Sequence, residues 1–237
     1  MIKKNYTTNI KGQAKKLAKP DDVSVAILAA GIGARMKSYE PRSLLKIRDR
    51  TLIEHQITAI NSCFEDAEII CVVGYESQRV IKKVKDGVRI VENQLYQATN
   101  NSESLRLAIN NTNKKGVLFM HGDLLFNPET ISVDYKSSFI IVDTKDQIEK
   151  KEVGVTVVNN YATIFSYGLE CKWCQMAYIT GKELRIARQL FSKYEEQHKK
   201  LLSFEVLNNI IAQGGKFKCY EPEDMRIMEI DKVRKNL

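Results

Sequence analysis

Apolar residues change their spacing along this chain in a regular way, and the spacing predicts the elements. Residues 23–30 (VSVAILAA) form a nearly unbroken apolar run, as a strand covered on both faces requires. Across 51–64, Leu52, Ile53, Ile57 and Ile60 recur on one helical face. A second run, 68–73 (EIICVV), predicts another buried strand ending at Gly74. Residues 77–84 predict a short helix, 88–91 a strand, and 102–111 a helix that turns Leu105, Ala108 and Ile109 inward. The run 116–120 (GVLFM) predicts a fourth buried strand. This alternation predicts a Rossmann-like α/β fold: an open, mostly parallel mixed sheet with helices on both faces.

After about residue 135 the texture changes. Segments 138–142, 153–158, 162–166 and 173–179 read as strands separated by polar or turn residues, which predicts an antiparallel extension. Residues 182–193 and 204–212 predict helices, and 216–220 and 226–230 two last strands. No repeat or linker interrupts the pattern, so a single domain is expected over 21–237, preceded by a basic arm at 1–20.

The chain has 237 residues, 43% of them hydrophobic, enough to build a substantial core. No apolar run approaches the ~20 residues that span a bilayer, and the start lacks a secretory core, so a soluble cytoplasmic protein is the expectation. The net charge is +8, and residues 1–20 carry six lysines and no acid. That arm reads as a solvated tail, because no aromatic-rich basic stripe or nucleic-acid module follows it. A positive balance also suits polyphosphate ligands. The C-x-x-C of Cys171 and Cys174 lies in an extended segment, where thiols three apart face opposite sides. The three histidines show no metal spacing, and His121 reads as a bystander.

The stretch with chemistry is 28–46. Leu28, Ala29 and Ala30 end a strand, and Gly31 and Gly33 let backbone N–H groups approach a polyphosphate. Arg35, Arg42 and Lys46 add positive charge. A bare G-x-G is weak evidence, and Met36 stands where a dinucleotide loop has its third glycine. Asp123 follows a buried strand at the carboxyl end of the sheet, where an acid suits Mg2+.

Taken whole, 28–46 resembles the signature of the nucleotidyltransferase superfamily that activates sugar phosphates, phosphocholine and related alcohols: L-A-A-G-x-G-x-R-M, a spacer, then P-K-x-L. Pro41-Arg42-Ser43-Leu44 fills the second half with arginine in place of lysine, which keeps the charge but presents a planar fork. Ile53-Glu54-His55-Gln56, Val72-Val73-Gly74-Tyr75 and the segment 96–105 (YQATNNSESL) resemble further segments of CTP:phosphocholine cytidylyltransferases.

The resemblance implies a nucleoside triphosphate, CTP favoured, on Leu28–Gly31, Gly33, Arg35, Arg42, Gly74, Tyr75, Asn100, Asn101 and Ser104. Asparagines supply the donor and acceptor that a base edge needs, although Asn and Ser are also common helix caps. It implies Mg2+ on Asp123 and on Asp231 of the E-I-D segment; from the residues alone Asp231 reads equally as a helix cap. Arg35, Arg42 and Asp123 then carry an in-line transfer to a small phosphorylated acceptor. For a choline head group the candidates are Trp173, Tyr178 and Glu229, with Tyr220 and nearby acids. Met228 stands where the family has tyrosine, and 204–212 holds no tryptophan. A sugar 1-phosphate or an aminoalkyl phosphonate therefore stays open as acceptor. So does a non-catalytic nucleotide-binding relative.

Overall fold

The computed structural model describes residues 11–12, 22–32, 40–84, 86–146, 148–193 and 195–230. Strands β1 (Lys11–Gly12) and β2 (Val23–Ala29) precede a small hairpin, β3 (Lys46–Ile47) with β4 (Arg50–Thr51), and helix α1 (Leu52–Cys63). Then come β5 (Glu68–Val73), α2 (Ser77–Ile81), β6 (Val88–Glu92), α3 (Asn101–Asn110) and β7 (Gly116–His121). The second half holds β8 (Leu124–Phe126), β9 (Phe139–Asp143), β10 (Val153–Val158), β11 (Tyr161–Tyr167) and β12 (Cys171–Thr180). It ends with α4 (Gly181–Ser192), α5 (Ser203–Ala212), β13 (Lys218–Pro222) and β14 (Ile227–Glu229).

Among the described residues one ten-stranded sheet runs β1-β13-β11-β10-β12-β7-β2-β5-β6, with β9 paired to β12 and β13. Strands β7, β2, β5 and β6 are mutually parallel, whereas β12 runs antiparallel to β7, β9 and β10. The expected α/β core with an antiparallel extension is what the chain builds. After β2 the chain steps outward through β5 to β6, then returns to place β7 on the other side of β2. Ligands of open α/β sheets bind where the strand order reverses in this way, at the carboxyl ends. Here those ends belong to β2 and β7, paired at Leu28 and His121.

The period of two in each strand divides the core into two layers. From β2, Ala26 and Leu28 face the layer shared with α3, α4 and α5, while Val25, Ile27 and Ala29 face α1 and Val80 of α2. Leu52, Ile53, Ile57 and Ile60 of α1 are fully buried, each contributing roughly 1.5–3 kcal/mol. Glu54 accepts hydrogen bonds from the Thr51 amide at 2.8 Å and the Thr51 hydroxyl at 2.7 Å, which fixes the start of α1. The Thr51 hydroxyl, then the amide, hold the Glu54 carboxyl below its ordinary value.

Three features depart from the sequence pattern. Within the basic arm, Lys11–Gly12 pairs in parallel with Glu221–Pro222, so at these two positions the arm joins the sheet. The strand expected from 216 starts at Lys218, because the Lys216 amide donates to Glu183. Strand β8 is too short for a periodic signal and exists through its pairing with β14. The C-x-x-C behaves as expected: Cys171 packs on the α3–α5 side and Cys174 on the α1 side. Burial pushes the Cys171 thiol up to about 12 and raises that of Cys174. Neither is poised as a reactive thiolate.

Candidate active site

The site is built where β2 and β7 end side by side. Leu28, Ala29 and Ala30 are buried, and the chain then emerges at exposed Gly31. Among the described residues, a Cβ at Gly31 would meet no atom within 4 Å, and Gly31 lines the cleft. The turn is held from behind. The Tyr75 amide donates to the Ala30 carbonyl at 3.1 Å, and a Cβ on Gly74 would lie 2.8 Å from that same oxygen. Gly74 and Tyr75 thus shape the loop from the end of β5 and are not themselves among the cleft-lining residues. On the other flank the Gly122 amide donates to the Leu28 carbonyl at 2.9 Å, bringing Asp123 beside the loop.

Asp123 is 9% exposed. Its Oδ2 pairs with the Arg42 guanidinium, while its buried Oδ1 has no hydrogen-bond partner among the described residues. The same Arg42 nitrogen lies 3.5 Å from Glu229 Oε1. Glu229 arrives through the β14–β8 pairing, opposite Leu124, and the next amide, Ile230, donates to the Asp123 carbonyl at 2.8 Å. Two carboxylates from distant parts of the chain therefore face one cationic group. A buried carboxylate oxygen left without a donor is the kind of acceptor that a divalent cation takes, although the described residues hold no group of three or more His, Cys, Asp or Glu side chains placed to bind a metal ion. Gly33, Arg35 and Asp231 lie outside the described residues. Lys46 is exposed on the β3–β4 hairpin and is not part of the cleft wall.

Gln56 was legible in the sequence only as part of a motif, and its task is structural. From α1 its Nε2 donates to the carbonyls of His121 and Leu124, both at 2.8 Å, clamping the turn that carries Asp123. Gln56→Leu is expected to cost about 1–3 kcal/mol for each carbonyl left buried without a donor. The check is a denaturant midpoint; one equal to wild type rules the clamp out.

The cleft encloses about 1180 Å³, above the roughly 300–1,000 Å³ of ordinary small-ligand pockets, which leaves room for two substrates. Asn100, Asn101 and Ser104 line one wall with Tyr96 and Asn93. Asn93, unremarkable in sequence, is buried, and its amide donates to Ser104 and Thr99 at 3.3 Å. Asn100 does stand at the N-cap of α3, but its side chain makes no capping hydrogen bond and donates instead to the Lys200 carbonyl at 2.6 Å. Asn101 Oδ1 accepts from the Ser203 amide at 2.6 Å, and its Nδ2 lies 3.1 Å from His121 Nε2. His121 thus lines the cleft and is held by side chains from α3 and α5. Burial lowers its basicity, against an opposing pull from Asp123.

The two aromatic candidates for the acceptor fall differently. Trp173 borders the cleft but is 3% exposed, donates to the Met176 carbonyl at 3.0 Å, and packs edge-on against Phe119 and Phe165. Tyr178 sits in the layer on the α1 side, against Tyr135 and Phe139, because β12 alternates its faces. It does not line the cleft. The open aromatic there is Tyr167, 48% exposed and edge-on to Phe204, near Asp146, Glu149 and Glu152. No spacing in the sequence marks this group, which three separate segments bring together.

Among solved structures the fold is similar to inositol-1-phosphate CTP transferase from T. maritima, at TM-score 0.73 and 17% identity over 90% of each chain. It is also similar to the CTP:phosphocholine cytidylyltransferase LicC from Streptococcus pneumoniae, at TM-score 0.71 and 23% identity over 90% of this chain and 95% of that one. Curated relatives include the bifunctional protein GlmU of Koribacter versatilis, 32% identical over 77 residues, or 32% of this chain. GlmU of Prochlorococcus marinus is 31% identical over 112 residues, or 46% of this chain. Those alignments span 16% and 25% of the relatives' own lengths. The match to a family model concentrates on the part that builds the β2–β7 site: residues 25–134, which carry Gly31, Arg42 and Asp123, are similar to the MobA-like NTP transferase domain.

Proposed function

We propose that this chain is a divalent-cation-dependent nucleotidyltransferase that moves a nucleoside monophosphate, CMP from CTP by preference, onto a small phosphorylated acceptor and releases pyrophosphate. The observation that carries the reading is Asp123, whose buried Oδ1 has no hydrogen-bond partner among the described residues while its Oδ2 pairs with Arg42, which also reaches Glu229. In the reaction an acceptor phosphate oxygen bonds to the α-phosphorus while the bridging P–O bond to the β-phosphate breaks. Such chemistry depends on positioning and charge neutralisation more than on acid–base groups. A Mg2+ ion held by Asp123 and Asp231 would supply charge neutralisation between the two phosphates. Backbone amides from Gly31 to Gly33, with Arg35 and Arg42, bind the departing pyrophosphate. Asn93, Asn101 and Ser104 offer donors and acceptors to the base.

The far end of the cleft favours an acceptor with a cationic head. Asp146 and Glu152 pair with Lys172 and Glu149 pairs with Lys151, which leaves one acid more than base there, and Tyr167 presents an open ring. Phosphocholine and an aminoalkyl phosphonate both suit this end; a sugar 1-phosphate finds less there to recognise it. The test offers the full chain each of four nucleoside triphosphates with a panel of phosphorylated alcohols, sugars and phosphonates, and follows pyrophosphate. Release with CTP and a cationic acceptor is expected. Triphosphate binding with no release from any pair would leave a nucleotide-binding relative without catalysis.

A further inference from the structure

We infer that Ser203 is a positioning residue: its backbone amide holds the carboxamide of Asn101 so that the NH2 group, and not the oxygen, is offered to the base. The identity of that ligand rests on the nucleotidyltransferase reading of the cleft; the orientation of Asn101 does not.

Asn101 and Ser203 open two helices, α3 and α5, and both line the cleft. The first N–H groups of a helix have no partner within it, and here the two helix starts satisfy each other. The Asn100 amide donates to the Lys199 carbonyl at 2.9 Å, and the Asn100 side chain to the Lys200 carbonyl at 2.6 Å. The Ser102 amide donates to the Leu201 carbonyl at 3.3 Å, and the Ser102 hydroxyl to the His198 carbonyl at 2.9 Å. Residues 100 and 102 are thus pinned to segment 198–201 on either side of Asn101. In the gap between them the Ser203 amide donates to Asn101 Oδ1 at 2.6 Å.

That donor has a fixed place. Ser203 is buried, the preceding Leu202 amide donates to Glu205 Oε2 at 2.7 Å, and Phe204 packs edge-on against Tyr167. An N–H only donates, so it takes the oxygen of Asn101 and leaves the NH2 facing the other way. Nδ2 accordingly lies 3.1 Å from His121 Nε2. An NH2 group carries two hydrogens, so a second remains for a ligand. A free carboxamide can turn either end to a base. Held by Ser203, it presents a donor, and the base atom that it meets is an acceptor, a ring nitrogen or a carbonyl oxygen. Fixing that choice before the nucleotide arrives removes an ordering cost from binding.

Ser203→Pro removes this amide with little other disturbance. Proline suits the first position of a helix, and it follows an extended residue here, since Leu202 has φ −83° and ψ 156°. The ring carbon stands where the hydrogen was, so Asn101 Oδ1 must withdraw. Ser203→Ala is the reference, because it loses the hydroxyl contact to His121 and keeps the amide. CTP and inorganic tripolyphosphate are titrated into each variant by calorimetry, with no acceptor present. CTP should bind Ser203→Pro at least about tenfold more weakly than Ser203→Ala, the effect of one lost hydrogen bond. Tripolyphosphate, which has no base, should bind both within about threefold. Equal CTP affinity in the two variants, or a parallel loss of both ligands, overturns the inference. Should Ser203→Pro not fold, amide exchange decides. The Ser203 N–H should exchange slowly in wild type and in Asn101→Asp, which keeps the accepting oxygen, and at least about tenfold faster in Asn101→Ala. Asn101→Asp should still bind CTP about tenfold more weakly than wild type, having no hydrogen to give. Unchanged exchange in Asn101→Ala, or wild-type CTP affinity in Asn101→Asp, overturns it as well. If the wild-type chain binds no nucleoside triphosphate, the functional reading falls, and the exchange rates alone still decide how Asn101 is held.

Discussion

Asp123→Ala should lower turnover by about two to three orders of magnitude while leaving the fold in place. The kinetic loss follows from the proposed role: the only carboxylate oxygen of the site that is both buried and without a donor among the described residues disappears, and with it a charge aimed at the phosphates. The effect on stability is small because two terms oppose each other. Arg42 loses its closest partner yet keeps Glu229 at 3.5 Å, while an unsatisfied buried oxygen is removed. The net change should stay within about 2 kcal/mol. Pyrophosphate release measures the first quantity and thermal unfolding the second. A metal titration followed by melting temperature adds an independent reading, since a bound ion raises the melting point only where it has a site. Wild-type turnover in a folded Asp123→Ala protein would remove this carboxylate from the chemistry.

Exchanging Arg42 for methionine carries the second large effect, a fall of about 100-fold in kcat/KM. Arg42 ends the spacer after the glycine loop on a short 3-10 turn, Arg42–Leu44, anchored by buried Ser43 and Leu44. That anchorage holds the guanidinium between Asp123 and Glu229 at the edge of the loop. With methionine the two acids lose their shared countercharge and the phosphates lose a binding group together. Arg42→Lys should recover most of the activity, because the motif it interrupts carries lysine and a single ammonium can serve the same charge. If lysine is as damaging as methionine, the planar fork itself is required. If methionine is harmless, Arg42 serves only to hold the two acids in the ligand-free protein.

How much of this was legible in the sequence follows from which signals are local. The buried runs at 23–30, 68–73 and 116–120 determined the parallel core, because a strand covered on both faces leaves no other reading of so many consecutive apolar residues. Helix α1 was equally plain: its apolar face repeats at helical spacing and Thr51 with Glu54 marks its start. Gly31, Arg42 and Asp123 could be singled out because the loop and the strand end that carry them are continuous in the chain.

Other features depend on contacts between distant segments, and only the tertiary structure decided them. Trp173 and Tyr178 look alike as strand aromatics, yet five positions apart on a bulged strand they fall in different layers, one backing the cleft and the other in the opposite core. His121 has no helical or metal spacing to announce it; its partners Asn101 and Ser203 come from two other elements. Glu229 meets Asp123 because β14 pairs with β8, a strand too short to carry a periodic pattern. Hydrophobic period and turn chemistry are properties of neighbours along the chain, so the sequence by itself determined the layers and the loop. The polar network that joins them is set by which strand ends the packed sheet brings within hydrogen-bond reach, and that was decided in three dimensions.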